Sequence, residues 1–323
     1  MPDKILTVVP DDFPALFVHS AQMDRLHTLG AVRAHTTRAE TTHELLARLK
    51  GAAAVVNMRA FTKFTAEVFA ALPDLRVIAV SGTGTDNIDL EAASRHGVHV
   101  CNTPEANSDS VAEHTFALLL ALARGLRPME DRMRAGEWWH HYGMELRGKA
   151  LGLIGLGRIA ARVARVAHGF GMNPLGWSFT RDEERARRLG VTSVELDELL
   201  ARADVVSLHL RLSDRSRGIL GRAELGRLKT SALLVNTARG ALVDEAALAD
   251  ALAAGRIAGA ALDCYAEEPL PLDHPLRHTP NTLLVPHAGW MTVEARERML
   301  SEPVDNIVAW LEGHPQNVVN PLP

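Results

Sequence analysis

LGLIGLGRIA, Leu151 to Ala160, spaces three small residues as Gly155-x-Gly157-x-x-Ala160 between an apolar run and an amphipathic stretch. Read as strand, tight turn and helix, each small residue has a use. Gly155 permits the turn, Gly157 lets backbone approach a pyrophosphate, and Ala160 allows close helix packing. The helix N-terminus adds amide donors and the positive end of its dipole. The spacing alone also occurs in ordinary turns. Here the strand-turn-helix context and a further strand at Pro174–Phe179 point to dinucleotide binding, with Arg158 and Ile159 on the pyrophosphate turn. At the end of that further strand an NAD site usually carries Asp or Glu, which accepts from the ribose 2′-hydroxyl. This chain has Gly176-Trp177-Ser178-Phe179-Thr180-Arg181 and no acid there. Ser178 can hydrogen-bond a phosphate and Arg181 can neutralise one, so NADP(H) is favoured over NAD(H). The alternative is that Arg181 merely opens an exposed charged helix, RDEERARR, with Ser178 facing water.

Outward from this turn, short β-rich runs alternate with helical stretches, the pattern of an α/β chain with parallel sheets wrapped by helices. Strands are expected at Lys4–Val9, Val32–Thr36, Ala52–Asn57, Arg76–Ser81 and Val98–Asn102. A second series runs through Ala150–Ile154, Pro174–Phe179, Val205–Leu210, Ala232–Thr237, Gly259–Asp263 and Thr282–Val285. Amphipathic segments such as Thr42–Lys50 and Thr65–Ala71 lie between. A long helix over Ser110–Arg124 is expected to open with Ser110-x-x-Glu113, a capping-box pattern. Its body is apolar on most sides, as in a helix buried between domains. A second long helix is expected over Thr292–Leu311, after which the tail HPQNVVNPLP returns to the N-terminal part. Residues 1–102 and 290–323 are thus expected to form one domain, with residues 103–289 inserted as the other.

The 323 residues fit about two domains. Lys plus Arg is 35 against 39 Asp plus Glu, a net charge of −4, which offers no basic footprint for nucleic acid. The two cysteines, Cys101 and Cys264, lie far apart and read as free thiols of an intracellular chain. The start MPDKILTVVPDDFP lacks the features of a signal peptide, and the apolar run Phe116–Ala123 is too short to span a bilayer. A cytoplasmic protein without a membrane partner is expected. Nothing in the sequence suggests a metal.

Downstream of the glycine turn the chain resembles the D-isomer-specific 2-hydroxyacid dehydrogenases, a family that includes glyoxylate and hydroxypyruvate reductases. The resemblance rests on VSGTGTDNIDL (Val80–Leu90), SVAEH (Ser110–His114), the glycine turn, VNTARG (Val235–Gly240), ALDCYAEEPLP (Ala261–Pro271) and VPHAGW (Val285–Trp290), in the family order and over nearly the whole length. It implies two doubly wound parallel-sheet domains, a Rossmann cofactor domain inserted into a flavodoxin-like substrate domain. It also implies hydride transfer between NAD(P)H and C2 of a small 2-keto or D-2-hydroxy acid, by a homodimer paired through the inserted domain.

The resemblance further implies three catalytic residues, and the chemistry asks for these types. Arg239 offers a bidentate fork to the substrate carboxylate. His287 can deliver a proton to the carbonyl oxygen as hydride reaches carbon. Glu268 would raise the histidine pKa and hold the ring. Each alone has a structural explanation, and only the joint arrangement argues otherwise. The amides of Thr83 and Gly84 match the backbone that receives the substrate carboxylate, or else form a plain Gly-rich turn. Asp263 matches the acid that accepts from the nicotinamide carboxamide, or else caps a turn. Leu210, Thr237, Ala238 and Gly289 match positions facing the cofactor, and His209 could simply bond locally. The chain departs from the family at Arg211, where Pro is common, and at Trp290, where relatives often have Gly. Trp138 and Trp139 border a pocket, reach from a partner subunit, or belong to interface or core.

Other readings remain at this stage. One is a dinucleotide-sensing module akin to the corepressors that share this fold, although no basic tail or long disordered extension is present. Another is a relative dedicated to phosphoglycerate, formate or phosphite. The former is disfavoured by the expected lack of an added regulatory domain, and formate by missing insertions.

Overall fold

The computed structural model describes residues 5–58 and 61–322. Lys4, at the head of the first expected strand, lies outside them. The chain divides into two compact units, one of residues 1–107 with 292–323 and one of residues 108–291.

In the first unit, β1 (Ile5–Val9), β2 (Gly30–Ala34), β3 (Ala54–Asn57), β4 (Val77–Val80) and β5 (His99–Cys101) form a parallel sheet in the order β2-β1-β3-β4-β5. Successive strand residues point to opposite faces. Val8, Val55, Ile78 and Val100 therefore join one apolar layer, while Val9, Val56, Ala79 and Cys101 join the other. Covering both faces explains strands that read as unbroken apolar runs. The second layer is closed by Leu300, Val304 and Ile307 of the helix Val293–Leu311, whose start is capped by the Thr292 hydroxyl. Beyond it the tail returns to β5: Val319 N–H donates to Val100 O, and the Asn320 side chain accepts from Val100 N.

The second unit has seven parallel strands: β6 (Ala150–Ile154), β7 (Asn173–Trp177), β8 (Thr192–Ser193), β9 (Val205–Leu208), β10 (Leu233–Asn236), β11 (Gly259–Leu262) and β12 (Thr282–Leu284). Their order is β12-β11-β10-β9-β6-β7-β8. The chain starts at β6, winds outward through β7 and β8, then reverses to β9 and winds out the other way. Both sheets are doubly wound, and each has a switch point, between β1 and β3 and between β6 and β9. Ligands of such sheets bind beyond the carboxyl ends of the strands near that point.

Three expectations need correction. The long helix spans Ser108–Arg124, so Ser110 sits inside its first turn instead of capping it; Asn107, also a favoured cap type, precedes it. β2 begins two residues early, at Gly30, because the missing side chain lets β1 approach: a Cβ there would lie 2.1 Å from Ile5 O. β8 was not anticipated, since two residues carry no periodicity.

Candidate active site

Gly155 follows β6 with φ +99°, a conformation open to glycine, and a Cβ there would lie 2.8 Å from the backbone of His209. Its N–H donates to Trp177 O at 2.7 Å, closing the turn onto β7. Gly157 opens the helix Arg158–Gly169, and a Cβ there would meet no protein atom within 4 Å. The turn therefore leaves room beside Gly157 at the start of the helix, the surroundings a pyrophosphate requires. Ala160 is fully buried beneath, and Ile159 packs against the same core. These residues fit a dinucleotide. His209 bonds Ser207 at 2.9 Å, and burial pushes its pKa down to about 4, so it is neutral at physiological pH.

The three proposed catalytic side chains all arise just beyond the ends of β10, β11 and β12. His287 Nδ1 lies 2.9 and 3.1 Å from the two oxygens of Glu268. A carboxylate only accepts, so Nδ1 carries the proton in this bond, and Nε2 is not engaged by Glu268. Burial pushes the Glu268 carboxyl up, but the His287 bond and charge, the Tyr265 N–H and the Arg239 charge outweigh it and hold the carboxyl below its usual range. Arg239 enters through that last effect, and its backbone is fixed by Asn236, whose amide donates to Arg239 O while its oxygen accepts from Ala238 N.

Several supporting residues escaped the sequence reading. Gly240 packs so tightly on the Glu268 loop that a Cβ would lie 1.9 Å from the Tyr265 carbonyl carbon. Tyr265 donates its N–H to Glu268 Oε1 and places its hydroxyl 3.1 and 3.0 Å from Leu262 O and Val285 O, tying β11 to the segment that leads to His287. Glu245 accepts from Ala266 N. Of these, Gly240 and Tyr265 lay within quoted motifs but carried no task there, and Glu245 lay outside them. Their roles depend on contacts between segments distant in sequence.

Asp263 is 2% exposed, and its oxygens accept from Ala288 N (2.6 Å) and Gly289 N (3.0 Å), with His114 Nε2 at 3.2 Å. The acid thus anchors the loop after His287, which has φ +52°. Thr237 bonds Thr115 at 2.9 Å, while Ala238 and Leu210 are half-buried beyond their strand ends. At the end of β7, Ser178 donates to Thr180 O at 2.8 Å, and the exposed Arg181 pairs with Glu183 and with Glu195 at 3.0 Å. Arg185, unremarked in the sequence, donates to Leu156 O of the glycine turn.

In the first unit, the loop after β4 carries Thr83 and Gly84. Asn102 donates to Thr83 O, and Thr103 accepts from Gly82 N at 2.7 Å. Among the described residues the Thr83 and Gly84 amides donate to no protein acceptor. Trp138 is 79% exposed and so is not core, whereas Trp139 stacks on His141 and under the Arg132 guanidinium.

A doubly wound sheet with a glycine turn at its switch point, and Arg, Glu and His at three of its strand ends, defines a dinucleotide-dependent oxidoreductase. Residues 116–289, more than half of the chain, match the model of the D-isomer specific 2-hydroxyacid dehydrogenase NAD binding domain. A glyoxylate reductase from Aeropyrum pernix is 44% identical over 258 residues, 77% of this chain and 77% of that protein. A solved acyclic imino acid reductase in complex with NADPH and D-arginine superposes with a TM-score of 0.90 at 29% identity, covering 98% of this chain and 100% of the other. An NADPH-dependent glyoxylate/hydroxypyruvate reductase from Sinorhizobium meliloti, in complex with NADP and malonate, gives 0.85 at 28% identity, covering 98% and 97%. The chain belongs to the D-isomer-specific 2-hydroxyacid dehydrogenase family and is an NAD(P)-dependent enzyme.

Proposed function

We propose that the enzyme reduces a small 2-keto acid of the glyoxylate or hydroxypyruvate type to its D-2-hydroxy acid, and that NADPH is the preferred reductant. The observation that carries this reading is the His287–Glu268 pair, held with Arg239 beyond the carboxyl ends of one sheet. A nicotinamide cofactor bound at the glycine turn would supply the hydride for C2. Arg239 binds the substrate carboxylate and draws charge toward it. His287 donates a proton from Nε2 to the carbonyl oxygen, giving the hydroxyl. Glu268 holds the ring through Nδ1 and stabilises the imidazolium from which the proton leaves. The Thr83 and Gly84 amides are the first unit's substrate-binding candidates; the inserted unit is assigned the cofactor and supplies Arg239, Glu268 and His287.

The absence of an acid at the end of β7 supports NADP(H), as do relatives solved with NADPH or NADP. Arg181 is paired with Glu183 and Glu195, but exposed ion pairs are weak and yield to a phosphate dianion. Two buried free thiols agree with a cytoplasmic location, and the inserted unit supplies an exposed aromatic arm for a homodimer.

Oxidation of NADPH and NADH by the purified protein with glyoxylate, hydroxypyruvate, pyruvate and phenylpyruvate tests the reading. Turnover with NADPH ahead is expected, and NADH ahead would sink the cofactor preference. His287→Ala should lose at least about 100-fold in kcat while keeping dinucleotide affinity; unchanged turnover refutes its role. Ser178→Asp should weaken NADPH binding about 10-fold or more and NADH far less, through repulsion of the 2′-phosphate. Equal losses would show that residue 178 does not read the ribose.

A further inference from the structure

We propose that His114 is a positioning residue for His287, acting through Asp263; this rests on His287 being the proton donor. SVAEH, which contains His114, lies on the helix Ser108–Arg124, and the mechanism above leaves it without a task.

The structure gives it one. Asp263 is a buried carboxylate at the end of β11, and a buried charge persists only where donors satisfy it. Three N–H groups converge there: Ala288 N and Gly289 N from the backbone after His287, and His114 Nε2 from the helix. Because a carboxylate accepts only, His114 presents Nε2–H. Gly289 is where the three elements meet. A Cβ there would lie 3.0 Å from Asp263 Oδ2, 3.4 Å from the His114 ring and 3.6 Å from Val111. His287 itself has φ +52°, a left-handed conformation disfavoured for a residue with a side chain. The amides that follow it are those Asp263 grips, so the grip opposes relaxation of that backbone. His114 fixes the same Asp263 oxygen, Oδ1, that accepts from Ala288 N. Without that donor the carboxylate can turn, the Ala288–Gly289 amides loosen, and Nε2 of His287 drifts from the position at which it meets a carbonyl oxygen. Displacements of about 1 Å at such a group cost up to about 100-fold in rate.

The test compares His114→Leu, which keeps bulk and removes the donor, with His114→Gln, whose amide nitrogen can stand near Nε2. With glyoxylate and the preferred reductant, His114→Leu should lower kcat about 10- to 100-fold, with KM and dinucleotide affinity within about threefold. His114→Gln should recover most of kcat. Hydrogen–deuterium exchange of a peptide spanning residues 286–290 should quicken in His114→Leu and not in His114→Gln. If His114→Leu fails to fold, parental kcat and exchange in His114→Gln carry the proposal, with His114→Asn, whose shorter amide cannot reach Asp263, as the impaired partner. Unchanged kcat and unchanged exchange in the donor-less variant overturn the positioning role while leaving the proton donor in place. Loss of kcat that His114→Gln does not repair, with exchange slowed nowhere and raised across the whole inserted unit, identifies a purely structural residue and also overturns it. His287→Ala, run in parallel, separates the two levels: if it retains turnover, the proton-donor assignment fails first and the positioning role with it.

Discussion

At Glu268 two effects oppose each other. Burial favours the neutral acid, whereas the His287 bond and charge, the Tyr265 N–H and Arg239 favour the carboxylate and prevail. The group is therefore ionised at neutral pH and provides a fixed counter-charge for an imidazolium. Glu268→Gln keeps an acceptor for Nδ1 but removes the charge. If His287 is the proton donor, Glu268→Gln should lower kcat for reduction about 10-fold or more while dinucleotide affinity is kept, because the charge that balances the donating ring is gone. Steady-state kinetics beside a dinucleotide titration check this, and an unchanged kcat removes the electrostatic role of Glu268. The approach of Glu268 to His287 was legible in the sequence, because motifs in a fixed order carried both. Their supports were not: Gly240 is needed because Tyr265 passes against it, and nothing local records that approach.

Among the elements, strand existence was readable and strand limits were not. Val8–Val9, Val55–Val56 and Val205–Val206 announce strands buried on both faces. Gly30 hides the start of β2, and β8 is too short to announce itself. Ionic ties between strand ends were also invisible. Asp204, just before β9, accepts from Ala150 N at the head of β6 (2.8 Å) and from Lys229 Nζ (2.9 Å), while its carbonyl accepts from Leu233 N at the head of β10. Burial raises its pKa, but Lys229, the Ala150 N–H and Lys149 outweigh burial and leave the carboxyl below its ordinary range. A carboxyl depressed in the folded state stabilises it above the unfolded pKa and loses that contribution as pH falls through the folded value. Asp204→Asn should therefore cost about 1–3 kcal/mol at pH 7. The deficit should shrink from roughly pH 4 downward. Urea unfolding of both proteins at several pH values measures the gap, and a gap independent of pH would assign it to something other than the charge.

For the molecule as a whole, the two switch points follow from topology that no single segment specifies, whereas the two α/β series were plain from alternation alone. The same scale holds the expectation of a homodimer. The helix Leu126–Arg134 buries none of its residues, Leu126 and Met133 are about half exposed, and Trp138 and Tyr142 beyond it are 79% and 99% exposed. The dimer proposal rests on these large apolar groups exposed along one arm. The charges around them are already paired along the arm: Arg127 with Asp131, Arg134 with Glu130, and Arg132 with Glu137. Association through this arm should therefore be apolar in origin and persist in about 1 M salt, where ion pairs between exposed side chains are screened. Sedimentation should give a particle of twice the 35.1 kDa chain mass. Trp138→Glu combined with Tyr142→Glu should shift it toward the single chain, while dinucleotide binding shows that the inserted unit remains folded. A single-chain mass for the parent protein ends the dimer proposal. A dimer that survives both substitutions but falls apart in salt places the interface on a charged surface elsewhere.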